Sequence, residues 1–321
     1  MTTSGVYSFY VTRDDIIRQA MLGIGKLGAN ATPTAVQTQD CAMMLNMMIK
    51  QWMGKTDFAP GLKVWTRKHG HLFLSNQTGR YLVGPGATGW TENYVYPLST
   101  ATVSAAGTVL TVDDVTGISA GYNVGIELDD GSLQWTTASS VNTGTNQITI
   151  PAPGLDYQSS VGNQIFAYQT AAQQPLEIET AVLRDQDLND TPLNIMIVQD
   201  YDMLPNKANP TFIQDPTAIY YEFQLGNSYL YTDAGAAEDV TKHICLTYMQ
   251  PVQDFVNGND TPYYPQEWYL PLCLGLSKLI CPMFNRVWTQ LMQDNFNTAL
   301  AIAQHKDPER STMYFQCNPD G

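Results

Sequence analysis

Few residues in this chain stand at spacings that perform chemistry. Gly84-Pro85-Gly86-Ala87-Thr88-Gly89-Trp90-Thr91 comes within one residue of the phosphate loop G-x-x-x-x-G-K-[ST]. Trp90 stands where a lysine must reach the β and γ phosphates, and an indole has no charge to offer them, so the stretch reads as a turn. His69 and His71 share one face of a strand and could hold a metal ion with a third ligand. No C-x-x-C or H-x-x-x-H lies nearby to supply it, and no metal site is expected. Glu127, Asp129 and Asp130 are close enough to suggest calcium, but a solvated strand end and a hairpin turn explain them better. The chain has no G-x-S-x-G elbow. Acid pairs for glycoside cleavage take their spacing from the fold, and nothing in the sequence singles one out. The expectation is therefore no catalytic residue, no cofactor and no enzyme.

The elements that would position any site begin with a helix over residues 34–53. Apolar residues fall at Cys41, Met44, Leu45, Met48, Ile49 and Trp52, the steps of one helix face. Thr34 and Gln37 form a capping-box pattern after Pro33, and Gly54 is a stop. Met43 and Met47 lie off the stripe, so the apolar surface is wider than one buried face needs. Either the helix has two neighbours within its own chain, or one flank, with Met43, Met47 and Trp52, meets another subunit. Upstream, Thr12 and Asp15 cap a helix over 13–27, with Ile16, Ile17, Ala20, Met21, Ile24 and Leu27 as its stripe and Gly28 as its end. The link between the two is short, which makes an antiparallel hairpin unable to bury both stripes alone.

Partners for that hairpin come from the other end of the chain. Pro265-Gln266-Glu267 starts a third helix with Trp268, Leu272, Leu276, Leu279 and Ile280 in its stripe. Pro271 and Gly275 weaken it, and Pro282 ends or bends it. A fourth helix over 285–306 carries Val287, Trp288, Leu291, Met292, Phe296, Leu300 and Ile302. Residues 1–11 read as an extended arm. Residues 307–321 read as a tail in which Met313, Tyr314 and Phe315 are available to dock on a partner.

Between the helical ends the period changes to two, through Val64, Trp65, Leu72, Leu74, Tyr81 and Val83. Lys63, Arg67, Lys68, His69 and His71 make one locally basic stretch, either a solvated strand face or a contact to an acidic neighbour or phosphate. Residues 98–170 contain no Lys or Arg and are rich in Thr, Ser, Gly and Val. Their short runs, with Asp130-Gly131 as a hairpin turn, point to a small β-sandwich or barrel. Strands resume at Pro175 and continue through 193–198, 219–225 and 244–249, as though a module had been inserted between two strands of one host sheet. The expected architecture is α+β: a four-helix bundle from both chain ends packed beside an antiparallel β-sheet, with an inserted all-β module. Residues 1–97 and 171–306 would form the discontinuous core, 98–170 the module and 307–321 the extended tail.

Composition narrows the function classes. With 44% apolar and 14% charged residues the chain buries a core and is not disordered. A net charge of −14 argues against a basic surface that grips nucleic acid, though a like-charged wall can surround DNA without holding it. The five cysteines, odd in number and without a C-x-x-C pair, read as reduced thiols of a protein assembled inside a cell. No signal pattern opens the chain, and no apolar run approaches the length of a membrane span.

The block RDDIIRQAMLGIGKLGANATPTAVQTQDCAMMLNMMIKQW resembles the opening of the head-to-tail adaptor (connector) proteins of short-tailed bacteriophages, the P22 packaged-DNA stabilisation protein and T7 tail tubular protein A type. The features that carry the likeness are Ile16-Ile17, Leu27-Gly28, Pro33-Thr34, Leu45-Asn46 and Trp52, in that order. Tyr81-Leu-Val-Gly84-Pro85-Gly86 is similar to the family's strand and turn, and Pro265-Gln-Glu267-Trp268 to its C-terminal helix start. GYNVGIELDDGSLQWTT looks like the β-module of longer members. This chain is longer than the compact members, and Pro271 and Pro282 interrupt its C-terminal helical region.

The resemblance implies a ring of twelve copies at the head–tail junction of the virion, assembled in the host cytoplasm after packaging. Its partners would be the portal protein, the tail nozzle protein and a tail fibre or tailspike, with DNA passing through the channel without sequence-specific binding and no membrane involved. Twelve copies would carry roughly 170 negative charges, part of them lining a wall along which a duplex slides. The rival from another class is a virion-associated cell-wall hydrolase or receptor-binding tail protein that uses the β-module.

Overall fold

The computed structural model describes residues 5, 8–56, 59–60, 64–76 and 78–305. The chain is α+β and divides into a helical unit, Met1–Thr66 with Val252–Gly321, and a β unit, Arg67–Pro251. The expected tail and its docking residues Met313, Tyr314 and Phe315, together with Lys63, lie outside the described residues.

Helix α1 (Arg13–Gly23) starts in a full capping box: Thr12 accepts from the Asp15 N–H, and the Thr12 N–H donates to Asp15 Oδ2 at 3.0 Å. It stops four residues short of the apolar stripe. Gly25 adopts φ +68°, its N–H donates to Leu22 O, and the Lys26 N–H donates to Met21 O, a Schellman ending that needs a left-handed residue. The nearer glycine therefore ends the helix, and Gly28 does not. Helix α2 (Ala35–Trp52) begins in the Thr34–Gln37 capping box, as the sequence pattern required. Strands β1 (Lys55–Thr56) and β2 (Ala59–Pro60) pair in a short antiparallel ribbon.

The β unit runs through β3 (Arg67–Phe73), β4 (Arg80–Val83), β5 (Trp90–Thr91), β6 (Val109–Thr111), β7 (Asn123–Glu127), β8 (Leu133–Thr137), β9 (Ser140–Asn142), β10 (Gln147–Thr149), β11 (Ile165–Tyr168), β12 (Glu177–Arg184), β13 (Asp190–Pro192), β14 (Asn194–Met196), the short α3 (Val198–Asp202), β15 (Ala218–Glu222), β16 (Ser228–Thr232) and β17 (His243–Met249). Two three-stranded sheets, β6-β10-β9 and β11-β7-β8, surround an apolar cluster of their own that includes Leu110, Val124, Ile126, Ile148 and Ile165. The host strands form two sheets where one was expected. A five-stranded sheet has the order β13-β12-β17-β3-β5, and a four-stranded sheet the order β14-β15-β16-β4. The reason is packing: one core draws Leu72, Ile244, Leu246 and Tyr248 from the first and Tyr81, Val83, Ile219 and Leu230 from the second. A sheet with one apolar face must cover it, and a second sheet does so. Gly70 makes room in that core, since a Cβ there would lie 2.1 Å from the fully buried Trp90 ring.

Helix α4 (Tyr269–Ile280) follows a 3-10 turn at Gln266–Trp268. Pro271 sits in its first turn, where no intrahelical N–H is needed, so the proline does not break it. Helix α5 (Gln290–His305) starts later than the stripe suggests. A 3-10 turn at Pro282–Phe284 ends in left-handed Asn285, and Thr289 Oγ1 then accepts from the Met292 N–H at 3.3 Å. Helix α4 contacts α1, α2 and α5, and Leu272, Leu276 and Ile280 share one core with Ile16, Ile17, Leu45, Met48 and Ile49. Each such fully buried aliphatic side chain contributes about 1.5–3 kcal/mol. Helix α5 buries only Phe296, Ala299 and Ala303, while Val287 and Leu291 face water. Its main helical neighbour is α4, with Phe296 also meeting Trp52 of α2, so only the matching part of its stripe is covered.

Candidate functional site

Two places combine unusual side chains with unusual exposure. The first is the flank of α2. Gln39, Met43, Asn46, Met47 and Lys50 recur at steps of three and four and form a second stripe beside the buried one. With Asp254 they line an open groove of about 620 Å³. Its edge is held by the chain around Val252–Phe255. Asn46 Nδ2 donates to Phe255 O at 2.9 Å and Asn46 Oδ1 accepts from the Phe255 N–H at 3.0 Å. Lys50 reaches Val252 O at 2.9 Å and Asp254 at 2.6 Å. Met43 and Met47 remain 59% and 57% exposed, high for unbranched apolar side chains on a helix whose opposite stripe buries Cys41, Leu45, Met48 and Ile49. Trp52 is half-buried and packs on Trp268 and Phe296, with ring centroids 6.0 and 6.3 Å away.

The second place is the five-stranded sheet. Its strands β3 and β17 pair antiparallel, with Cys245 opposite His71 and His243 opposite Phe73. Side chains alternate across a strand, so Leu72, Ile244 and Leu246 enter the core while His71, Phe73, His243 and Cys245 share the other face. That face is also covered. Phe73 packs with Phe166, Leu133 and Val240, flanked by Tyr94 and Trp135. The histidines thereby lie among aromatic rings, His243 buried and His71, like Cys245, partly exposed. His71 lies edge-on to Tyr94 at 4.8 Å and 5.3 Å from the His243 ring.

Polar contacts inside this enclosure are few. Cys245 Sγ and His71 Nδ1 are 3.3 Å apart. Tyr94 Oη and His243 Nε2 are 3.2 Å apart, and His243 Nδ1 is buried with no hydrogen-bond partner. His243 is 3% exposed and borders a recess of about 10 Å³, close to the size of one water. Burial, followed by repulsion from Arg184, pulls His71 down to about 4; burial, then His71, pulls His243 down to about 3. Both imidazoles are therefore neutral at pH 7. Burial pushes the Cys245 thiol up to about 11 against the attraction of Arg184. Arg184, at the end of β12, stands opposite His243 of β17 and is itself held by Asp190 in a bidentate bridge at 2.7 and 2.8 Å.

His71, His243 and Cys245 each bring one donor atom within 4.8 Å of the others, the one such group among the described residues. Both companions of His71 in this group thus come from β17, Cys245 from 174 residues along the chain. His69 is not part of the group; it is exposed and faces Thr247, Nδ1 to Oγ1, at 3.2 Å. Sequence reasoning passed over His243-Ile244-Cys245, an i, i+2 pair that a strand places on one face. Arg67, in the basic stretch, meets an acidic neighbour: its guanidinium bridges Glu179 at 2.6 and 3.1 Å.

The other sequence candidates are internally satisfied. Trp90 of the loop 84–91 is fully buried, and its Nε1 donates to Gln173 O at 3.2 Å. Asp129 accepts from the Ser160 N–H and hydroxyl, from Gln158 and from Asn163, which holds its carboxyl down at about 2. Asp130 accepts from Ser132 in the turn that Gly131 (φ +78°) permits. Cys41, Cys245, Cys273 and Cys281 are free thiols. Among the described residues, no helix is long and apolar enough to cross a membrane.

What fold and side chains define together is an α+β chain with an uncovered methionine flank and an enclosed His–His–Cys group. No family model matches it, and neither does any curated protein. Among solved structures, it has weak similarity to the complex of VP16 and VP17, the two major capsid proteins of bacteriophage P23-77, at 10% identity over 61% of this chain and 79% of that one, TM-score 0.12. VP17 alone, a capsid protein of the same phage, gives 9% identity over 60% of this chain and 75% of that one, TM-score 0.12. Likeness at that level carries no weight for fold or function.

Proposed function

We propose that the chain is a structural head-to-tail adaptor of a short-tailed phage, a virion protein without catalytic activity. In this reading twelve copies form a ring below the portal, extend the DNA channel, retain packaged DNA and support the tail nozzle and a fibre or tailspike. Helices α1, α2, α4 and α5 act as one four-helix bundle whose uncovered flanks meet neighbouring copies. Support comes from the likeness of residues 13–52 to the family's opening block. The observation that carries the reading is the pair Met43 and Met47, more than half exposed one helical turn apart, beside a stripe that buries Cys41, Leu45, Met48 and Ile49. Methionine adapts to irregular partners, and a ring contact joins two unlike patches and closes by rotation. Exposed Val287 and Leu291 on and before α5 offer apolar surface for the facing patch. The net charge of −14 per copy suits a wall that lets DNA slide. Residues 307–321, with Met313, Tyr314 and Phe315, are the segment assigned to portal docking.

Negative-stain imaging and sedimentation of the full chain, with and without the portal protein of the same virion, test this. Closed rings on portal are expected. Changing Met43→Lys together with Met47→Lys should abolish ring closure while leaving the circular dichroism spectrum intact. Rings that form equally well with both lysines in place would remove the flank from the interface, and a chain that never self-associates on portal would end the adaptor reading.

A further inference from the structure

We propose that His71, His243 and Cys245 bind one soft or borderline transition-metal ion, zinc above all, which staples β3 to β17. Two imidazoles and a thiol are the donor set such ions select over oxygen-seeking magnesium or calcium. Bond lengths of about 2.0–2.1 Å to nitrogen and 2.3 Å to sulfur place tetrahedral donors about 3.3–3.6 Å apart. His71 Nδ1 and Cys245 Sγ already stand at 3.3 Å. The widest spacing in the group, 4.8 Å, closes by about an ångström of side-chain rotation.

The independent observation is the orphaned nitrogen of His243. A buried ring atom without a partner is costly, and an ion would supply the partner. Tyr94 completes the arrangement. When His243 Nε2–H donates to Tyr94 Oη, the lone pair stays on Nδ1, and the tyrosine fixes the ring as outer partners of metal-bound histidines do. The charged groups that face the site are Arg184 and its partner Asp190, whose bridge offsets the cation beside an incoming ion. Both histidines are neutral, so they release no proton. Cys245 gives up its S–H proton as the sulfur–metal bond forms: one divalent ion in, one proton out. The fourth position falls to a water.

The consequence is mechanical. The donors come from strands 174 residues apart in sequence, so the ion closes a long loop and binds only the folded β unit. Zinc held a hundredfold above its dissociation constant should raise the thermal midpoint of the β unit by about 5–10 °C.

The test uses the purified, tag-free, reduced full chain stripped with chelator, then titrated with Co²⁺ and with Zn²⁺. One equivalent of cobalt should give a near-ultraviolet thiolate-to-cobalt band, which zinc then displaces with release of one proton per ion at pH 7. Cys245→Ser should lose the band, and His71→Ala and His243→Ala should each weaken binding at least about tenfold, the loss typical of a disturbed metal shell. His69→Ala, two residues away on the same strand, should bind as the native chain does. Because the native titration needs no variant to fold, absence of the thiolate band in it overturns the proposal outright. So does a band that survives Cys245→Ser, which would place the ion on another cysteine.

Discussion

The flank of α2 leaves apolar side chains in water, whereas the sheet face of β3 and β17 takes polar ones wholly or partly out of it. Met43 and Met47 stand on a rod that needs no more apolar surface than it already buries. His71, His243 and Cys245 stand under aromatic rings, where an apolar residue would be cheaper to place. Both depart from the usual partition between inside and outside, and in opposite directions. The departures teach different things. Uncovered apolar area is satisfied by a large, non-directional partner, such as a neighbouring copy. A buried, unpartnered nitrogen is satisfied only by something small and directional.

The contrast should show first in how each unit tolerates one added methyl group. Gly70→Ala would set a Cβ 2.1 Å from the Trp90 ring, which is fully buried between two sheets and has nowhere to move. Overpacking of this kind costs about 1–3 kcal/mol or more, and the upper end is expected here. Gly275→Ala in α4 meets Met48 Sδ and Trp52 Cζ2 at 2.8 Å. One is a flexible thioether and the other a half-exposed ring, and alanine also favours the helix by about 0.5–1 kcal/mol. Its net cost should be under about 1 kcal/mol. Urea unfolding followed by hydrogen exchange at β17 and α4 amides would compare them, and equal losses would show that the two cores are packed alike.

Acid should separate the units next. Three of the chain's four histidines lie in the β unit, and the fourth, His305, is exposed on α5. His71 and His243 hold folded values of about 4 and 3 against an ordinary 6.5. Between those limits the unfolded chain binds protons that the folded chain refuses. Stability from these groups is therefore full above pH 6.5 and falls as the pH drops, by up to about 1.4 kcal/mol per pH unit for each histidine. In chelator, β3 and β17 amides should lose protection from pH 6 to 4 before α1 and α4 amides do. His243→Leu should flatten the profile, and a profile it leaves unchanged would mean the imidazole does not stay neutral.

Legibility followed the range of the interactions. Capping boxes at Thr12 and Thr34 and the stripe of α2 are set within a few residues of chain, and the sequence pattern places them well. The end of α1 was misplaced because Gly25 and Gly28 are equally permissive, and only hydrogen bonding to Met21 and Leu22 decides between them. The outer half of the α5 stripe looked like core because periodicity reports apolar area, not whether a neighbour arrives to cover it. The metal-ligating face was readable only in halves. H-x-H at 69–71 and H-x-C at 243–245 each announce one strand face. That β3 pairs with β17, in the register that puts His71 rather than His69 opposite Cys245, is a non-local fact. One residue of slip between the two strands would have put His71 on the opposite face from His243 and Cys245.

The smallest expected effect is the sharpest test of the comparison. Met43→Lys with Met47→Lys changes two positions that are more than half exposed. Exposed substitutions of this kind shift stability by no more than about 0.5 kcal/mol each, and lysine keeps a good helix propensity. A urea midpoint for the isolated chain that barely moves, alongside loss of self-association on portal, would show that the flank is held in reserve for a neighbour. A large drop in the midpoint would instead mean that the methionines already support the fold. The exposed flank of α2 and the enclosed group of β3 and β17 would then no longer be opposites, since both would be serving their own unit.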